Sequence, residues 1–331
     1  MKRYYCFPFV LLISFNLFSQ ENPKWDDVKS KDWPSECKEV SIPSTVDQKE
    51  QRAYFYKSKS GTARPLIVSL HTWSGGYDQK DTLSWQCIDR DYNYIHPDFR
   101  GPNNTFEACG SPLALSDIED AIDYAIKHAN VNLNEIHITG VSGGGYATLL
   151  TYMTTKHRIK TFSAWVPISN LIDWYYESEG RKNKYSRDIA LATTGLGFDD
   201  TDYHIDVEEA KKRSPVLMET PVTQRMSSKL YIYAGVHDGY TGSVPITHSI
   251  NFYNKIVTDI AGAETNSLIS NEDIIDLLTY RGASEVEGSL GNRDIYYQKN
   301  YKNKLQITLF DGGHERLDDI ALSLIENDIG R

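Results

Sequence analysis

Short apolar runs recur along the chain with helical patterns between them. Ala53 to Lys57 alternates apolar and polar positions, and Leu66-Ile67-Val68-Ser69-Leu70 reads as a buried strand by its length and its β-branched Ile67 and Val68. Asn93 to His96, Glu135 to Val141, Thr161 to Ile168, Lys229 to Ala234 and Leu305 to Phe310 read as further strands. Ser116 is placed to cap a helix with Asp117, Glu119 and Asp120 in its first turn and Ile118, Ala121, Ile122, Ala125 and Ile126 on its apolar face. Helical patterns also cover Ala147 to Met153, Pro245 through Ile256, Glu272 to Tyr280 and a last stretch through Leu322 and Ile325. Strands alternating with helices predict an α/β fold, a mainly parallel central sheet flanked by helices.

Three stretches fall outside this rhythm. Residues 20 to 50 are polar with Pro23, Pro34 and Pro43, and read as a loosely attached lead. Residues 170–225 and 261–303 are irregular, charged and tyrosine-rich, and are expected as lid-like insertions over the strand ends. Before them all, Lys2 and Arg3 precede an apolar run from Phe7 to Phe18 and the small, polar Ser19-Gln20. That is the pattern of a cleaved signal peptide, residues 1–19, too short for a membrane helix of about 20 residues. Cys6 lies too early for lipid attachment at the cleavage site. The expected product is one exported, periplasmic or secreted single domain, residues 20–331, without integral membrane association.

Composition narrows the partners. A net charge of -10 disfavours nucleic acid and anionic membrane surfaces. Cys37, Cys87 and Cys109 remain after export, and an oxidising compartment permits one disulfide. Cys87 with Cys109 is the favoured pair, since both fall in loop-rich sequence beside the presumed site. The cysteines and histidines have no zinc-site spacing, and neither a metal nor a cofactor is called for.

The chemistry concentrates at strand ends. Gly140-Val141-Ser142-Gly143-Gly144 joins a strand to a helix, and such a turn holds its serine in a strained conformation with the hydroxyl outward. A serine hydroxyl needs a base, and the base needs an orienting carboxylate. Asp238 follows the strand ending at Ala234, and His314 follows the strand ending at Phe310 behind two glycines. His237 and His248 are rival bases, and Asp173 is a rival acid. The order Ser, Asp, His is that of α/β-hydrolases. An oxyanion hole takes two backbone N–H donors, one from Gly143 and one from the His71-Thr72-Trp73 loop.

From about Ala53 onward the chain resembles the catalytic domain of the prolyl oligopeptidase-like (S9-type) α/β-hydrolases, a group that includes exported carbohydrate esterases. Gly140 to Gly145, Ala234 to Gly239, Gly312 to Glu315 and the Asp98-Phe99-Arg100-Gly101 turn carry the resemblance. It implies an α/β-hydrolase fold with Ser142, Asp238 and His314 as triad and Trp73 as second oxyanion donor, Thr72 being the fallback. The chain departs from the family's peptidases at Gly143 and at His71-Thr72-Trp73-Ser74. The roughly 30 residues before Ala53 are too few for those peptidases' β-propeller. The expectation is therefore an esterase acting on a small-molecule or polysaccharide ester, with an S9-type peptidase as the alternative and a non-catalytic binding protein as the remote one. Trp174 and Tyr175 are candidate stacking surfaces for a sugar.

Overall fold

The apolar runs fold as the strands their pattern predicts, and most of the remaining sequence is more regular than its polarity suggests. The computed structural model describes residues 28–197, 202–262, 266–282 and 288–330. The presumed signal peptide lies outside the described residues. The first elements are β1 (Lys38–Pro43), β2 (Glu50–Tyr56), β3 (Arg64–Leu70), α1 (Leu83–Asp89), β4 (Asn93–Pro97), α2 (Pro112–His128), β5 (Val131–Val141), α3 (Gly143–Thr154) and β6 (Thr161–Trp165). There follow α4 (Leu171–Gly180), α5 (Tyr185–Thr194), α6 (Val207–Lys212), α7 (Val222–Arg225), β7 (Lys229–Gly235) and α8 (Thr247–Ala261). The chain ends through α9 (Asn271–Tyr280), β8 (Ser289–Leu290), β9 (Arg293–Tyr301), β10 (Leu305–Phe310) and α10 (Asp318–Glu326).

The strands lie in the order β1-β2-β4-β3-β5-β6-β7-β10-β9-β8. From β4 to β10 neighbouring strands are parallel. β1 and β2 at one margin and β9 at the other are antiparallel additions. Strands covered on both sides must be apolar on both, which is why β3, β4 and β6 are buried almost throughout. From β3 the chain first builds β4 on one side and then β5 on the other. This reversal brings the His71 loop and the Ser142 turn together at the carboxyl ends of β3 and β5, where a Cβ on Gly143 would lie 2.3 Å from the Trp73 nitrogen.

The structure corrects several sequence expectations. The described part of the N-terminal lead, residues 28–50, is firmly attached: β1 pairs along β2, and Trp33 stacks on Tyr54 with ring centroids 4.2 Å apart. α2 starts at Pro112, because Ser111 accepts the Ala114 N–H and proline suits a first helical position; Ser116 lies one turn inside. The described residues of 170–225 form a helical cap, α4 to α7, with its own buried cluster that includes Trp73, Tyr146, Leu171, Trp174, Tyr175 and Ile189. Residues 293–301, expected within a lid, are β9, an antiparallel strand beside β10.

The Cys87–Cys109 disulfide is not formed: Cys37, Cys87 and Cys109 are all free and buried. Cys37 and Cys87 pack in the main core, whereas Cys109 packs in the cap cluster with its Sγ 3.9 Å from the Tyr146 hydroxyl. A disulfide needs its two Cβ atoms about 4 Å apart, and cysteines in separate clusters do not meet that. Among the described residues no helix is long and apolar enough to cross a membrane.

Candidate active site

Ser142 stands between β5 and α3 with φ 58° and ψ −117°, a left-handed conformation that a side-chain-bearing residue holds only under constraint. The constraint is close packing of backbone on backbone. A Cβ on Gly140 would lie 2.3 Å from the Gly144 carbonyl oxygen, and one on Gly144 would lie 2.1 Å from that of Leu70. Only glycine fits either position, so the turn stays tight and the serine is raised at the helix start, 7% exposed.

The loops after β7 and β10 meet above it. With the proton on His314 Nδ1, that N–H donates to Asp238 Oδ2 at 2.6 Å, and Nε2 accepts from the Ser142 hydroxyl at 2.8 Å. Asp238 is 1% exposed, and its other oxygen accepts from the Gly239 and Val244 N–H groups at 2.8 and 3.0 Å. A buried carboxylate with both oxygens satisfied stays put and fixes the imidazole's orientation. The rivals are engaged elsewhere. His237 lies 3.2 Å from Asp311, His248 bonds the Ser169 N–H and Glu177, and Asp173 accepts from Asn170.

The His71 loop distinguishes between the two possible oxyanion donors. The Thr72 N–H is taken, since it donates to Gln79 Oε1 at 3.1 Å. That of Trp73 donates to no group among the described residues, while its carbonyl accepts from Asn103 at 2.8 Å. Gly143 opens α3, so it has no carbonyl a turn behind it within the helix to receive its N–H. A Cβ on Gly143 would sit 2.3 Å from the Trp73 nitrogen, which puts the two amide nitrogens within about 5 Å of each other. His71 holds the loop from below. It stacks on Phe99 at 3.7 Å, its Nδ1 contacts the Thr72 carbonyl, and its Nε2 is 3.7 Å from Asp98. Burial alone would raise the Asp98 carboxyl, but the neighbouring His71 ring and the Gly101 N–H, which donates to it at 2.8 Å, outweigh that and hold it low.

The histidine loop has a buried anchor that its sequence does not announce. Arg316 Nη2 donates to Asp81 at 2.7 Å and Nε to Asp318 at 2.6 Å. Asp81 also accepts from Tyr94 at 2.7 Å and from Ser69. Burial pushes the Asp81 carboxyl up, yet Arg316, His96 and these hydroxyls together hold it well below the usual carboxylate range. Beside it, burial brings His96 down to about 4, so it is neutral at neutral pH. Glu315 accepts from the Gly313 N–H at 3.1 Å and from Arg293 at 3.0 Å.

Trp174 and Tyr175 are not brought to this site's surface. They are 0% and 4% exposed, in the cap cluster, with the Trp174 indole N–H donating to the Ser243 carbonyl. Their burial leaves no free face for a sugar and corrects the expectation of a stacking platform; Tyr176, next along the helix, is exposed. Among the described residues no group of three or more His, Cys, Asp or Glu is placed to hold a metal ion.

Set against known proteins, residues 54–256 match the BD-FAE family. No curated protein matches the sequence. Among solved structures, the uncomplexed Pyrococcus horikoshii acylaminoacyl peptidase aligns with a TM-score of 0.52 and 19% identity, over 67% of this chain and 35% of that one. A puromycin-hydrolyzing peptidase of Mycobacterium tuberculosis gives 0.51 and 14%, over 67% and 34%. Prolyl oligopeptidase B from Galerina marginata, apo, gives 0.52 and 14%, over 68% and 32%. This chain thus spans about a third of the length of these structures, and at such identities the likeness is one of fold.

Proposed function

Because the chain belongs to the BD-FAE family of α/β-hydrolases, we propose that it is an exported serine hydrolase that cleaves ester bonds, acyl or related ester decorations on a polysaccharide or oligosaccharide. The observation that carries the reading is the continuous hydrogen-bonded line from Asp238 through His314 to Ser142. His314 takes the Ser142 proton as the hydroxyl attacks the ester carbonyl, and Asp238 stabilises the imidazolium that forms. The N–H groups of Gly143 and Trp73 receive the negative charge on the tetrahedral oxygen. His314 then gives its proton to the leaving alcohol. Water enters by the same route in reverse and frees the acyl group from Ser142.

A groove supports the saccharide part of the reading. It has a volume of about 580 Å³ and is lined by Thr82, Gln86, Asn292, Arg293, Glu315 and Asp319 among others, Glu315 being the residue after His314 in the chain. Hydrogen-bonding side chains of both kinds suit a hydroxyl-rich chain. A peptidase is the second reading, favoured by the fold neighbours, which are named as peptidases.

Two measurements test the proposal. Ser142→Ala is expected to abolish p-nitrophenyl acetate hydrolysis, and equal rates in mutant and wild type would leave only a binding protein with a hydrolase fold. Acetylated, feruloylated and methyl-esterified sugars are then compared with proline-containing peptide amides. Turnover of the amides alone would replace the esterase reading with the peptidase one.

A further inference from the structure

Among the described residues, every polar group of Trp73 except its N–H is committed to a partner. The carbonyl accepts from Asn103, and the indole N–H donates to Asp188 Oδ2 at 3.1 Å, across from helix α5 of the cap. The indole ring packs edge-on against Trp174, with centroids 4.7 Å apart, and against Tyr185 at 6.3 Å. Asp188 itself is 8% exposed. Its desolvation pushes the carboxyl up, opposed by the Lys184 charge and by the Trp73 bond, so the indole N–H is part of what makes this burial tolerable. Two buried groups that need each other define one position for the ring, and the ring defines one for the peptide that bears the free N–H.

We propose that Asp188 is a positioning residue for the oxyanion hole: through the Trp73 indole it fixes the Trp73 N–H beside that of Gly143, so the cap helix helps to build the site it covers. The inference rests on the serine hydrolase reading above. A second tie runs from α5 to the same loop, Lys184 Nζ donating to Ser74 at 2.6 Å, but Lys184 is exposed. An exposed bond of this kind contributes little, so the buried pair carries the effect.

The experiment uses the full chain and p-nitrophenyl acetate. Asp188→Ala is expected to lower kcat by about 10- to 100-fold with KM within about threefold, the signature of a donor displaced by a fraction of an ångström from the transition-state charge. Asp188→Asn, whose carbonyl still accepts from the indole, restores most of kcat. Trp73→Phe removes only the donor and part of the ring, and is expected to lose as much as Asp188→Ala. The double variant loses no more than either, because both changes break one link. Lys184→Ala stays near wild type.

Melting curves show whether each variant folds, and if Asp188→Ala does not, Trp73→Phe and Asp188→Asn carry the test. Activity of Asp188→Ala or Trp73→Phe within about threefold of wild type, with Ser142→Ala inactive, overturns the positioning role and leaves the hydrolase reading intact. Losses that multiply in the double variant also overturn it. Wild-type activity no higher than that of Ser142→Ala removes both readings.

Discussion

Adding one methyl group at Gly143 tests the oxyanion hole most directly. In Gly143→Ala the new Cβ would lie 2.3 Å from the Trp73 nitrogen, 2.4 Å from its Cα and 2.9 Å from the Thr72 carbonyl carbon. All three are backbone atoms, so no side chain can rotate away. Nor is the loop free to yield: Thr72 is tied to Gln79, and Trp73 to Asn103 and Asp188. Ordinary contact begins at 3.4 Å, so the two segments must part by about 1 Å. Misplacing one oxyanion donor by that much is worth on the order of 100-fold in kcat, or ~2.7 kcal/mol of barrier. Overpacking costs a further ~1–3 kcal/mol of stability, which lowers Tm by roughly 2–10 °C. The assay is p-nitrophenyl acetate hydrolysis followed to saturation, beside a melting curve of the same preparation. The expected result is a collapsed kcat, a KM within about threefold of wild type and a folded protein. A folded Gly143→Ala with wild-type kcat would refute the assignment of Gly143 and Trp73 as the paired donors.

Two further outcomes follow from buried groups. Arg316→Ala strands the Asp81 carboxylate without its cation and is expected to cost ~3–5 kcal/mol at neutral pH, read as a lower Tm. In the wild type Asp81 is held below its unfolded value near 3.9, so its contribution is complete above that pH and is lost as the pH falls through the folded value. In the variant only His96 and the Ser69 and Tyr94 hydroxyls still oppose burial, so Asp81 rises and protonation relieves it at a higher pH than in the wild type. The Tm gap should therefore narrow between pH 7 and about pH 4, and a gap constant with pH would contradict the pairing. As for the thiols, burial pushes Cys37 and Cys109 up to about 12 and raises Cys87 as well, so all three resist iodoacetamide until the protein is denatured, as mass spectrometry will show. Reduction should leave Tm unchanged, and a Tm that falls in dithiothreitol would point to a cross-link.

What could be read from the sequence was whatever a residue and its immediate neighbours determine. Ser142, Asp238 and His314 each follow an apolar strand and sit beside glycines, and tight turns at the carboxyl ends of parallel strands bring such residues to one edge of the sheet. The choice between Thr72 and Trp73 was not local, because it depends on Gln79 taking one of the two N–H groups from a later turn of the loop. β9 escaped notice for a different reason. As an antiparallel margin it buries only Ile295 and Tyr301, so the sequence there lacks the apolar run of an inner strand. Trp174 and Tyr175 looked available because charged residues surround them, yet a cap that folds onto the strand ends needs an interior, and they supply it. Asp188 lay furthest from view. Nothing next to it in the chain distinguishes it from any acidic residue early in a helix, and its significance comes from an indole 115 residues away. The hydrogen-bonded line of Asp238, His314 and Ser142 was therefore legible from the turns, whereas the contact between Asp188 and the Trp73 indole emerges only when the cap is packed onto the sheet.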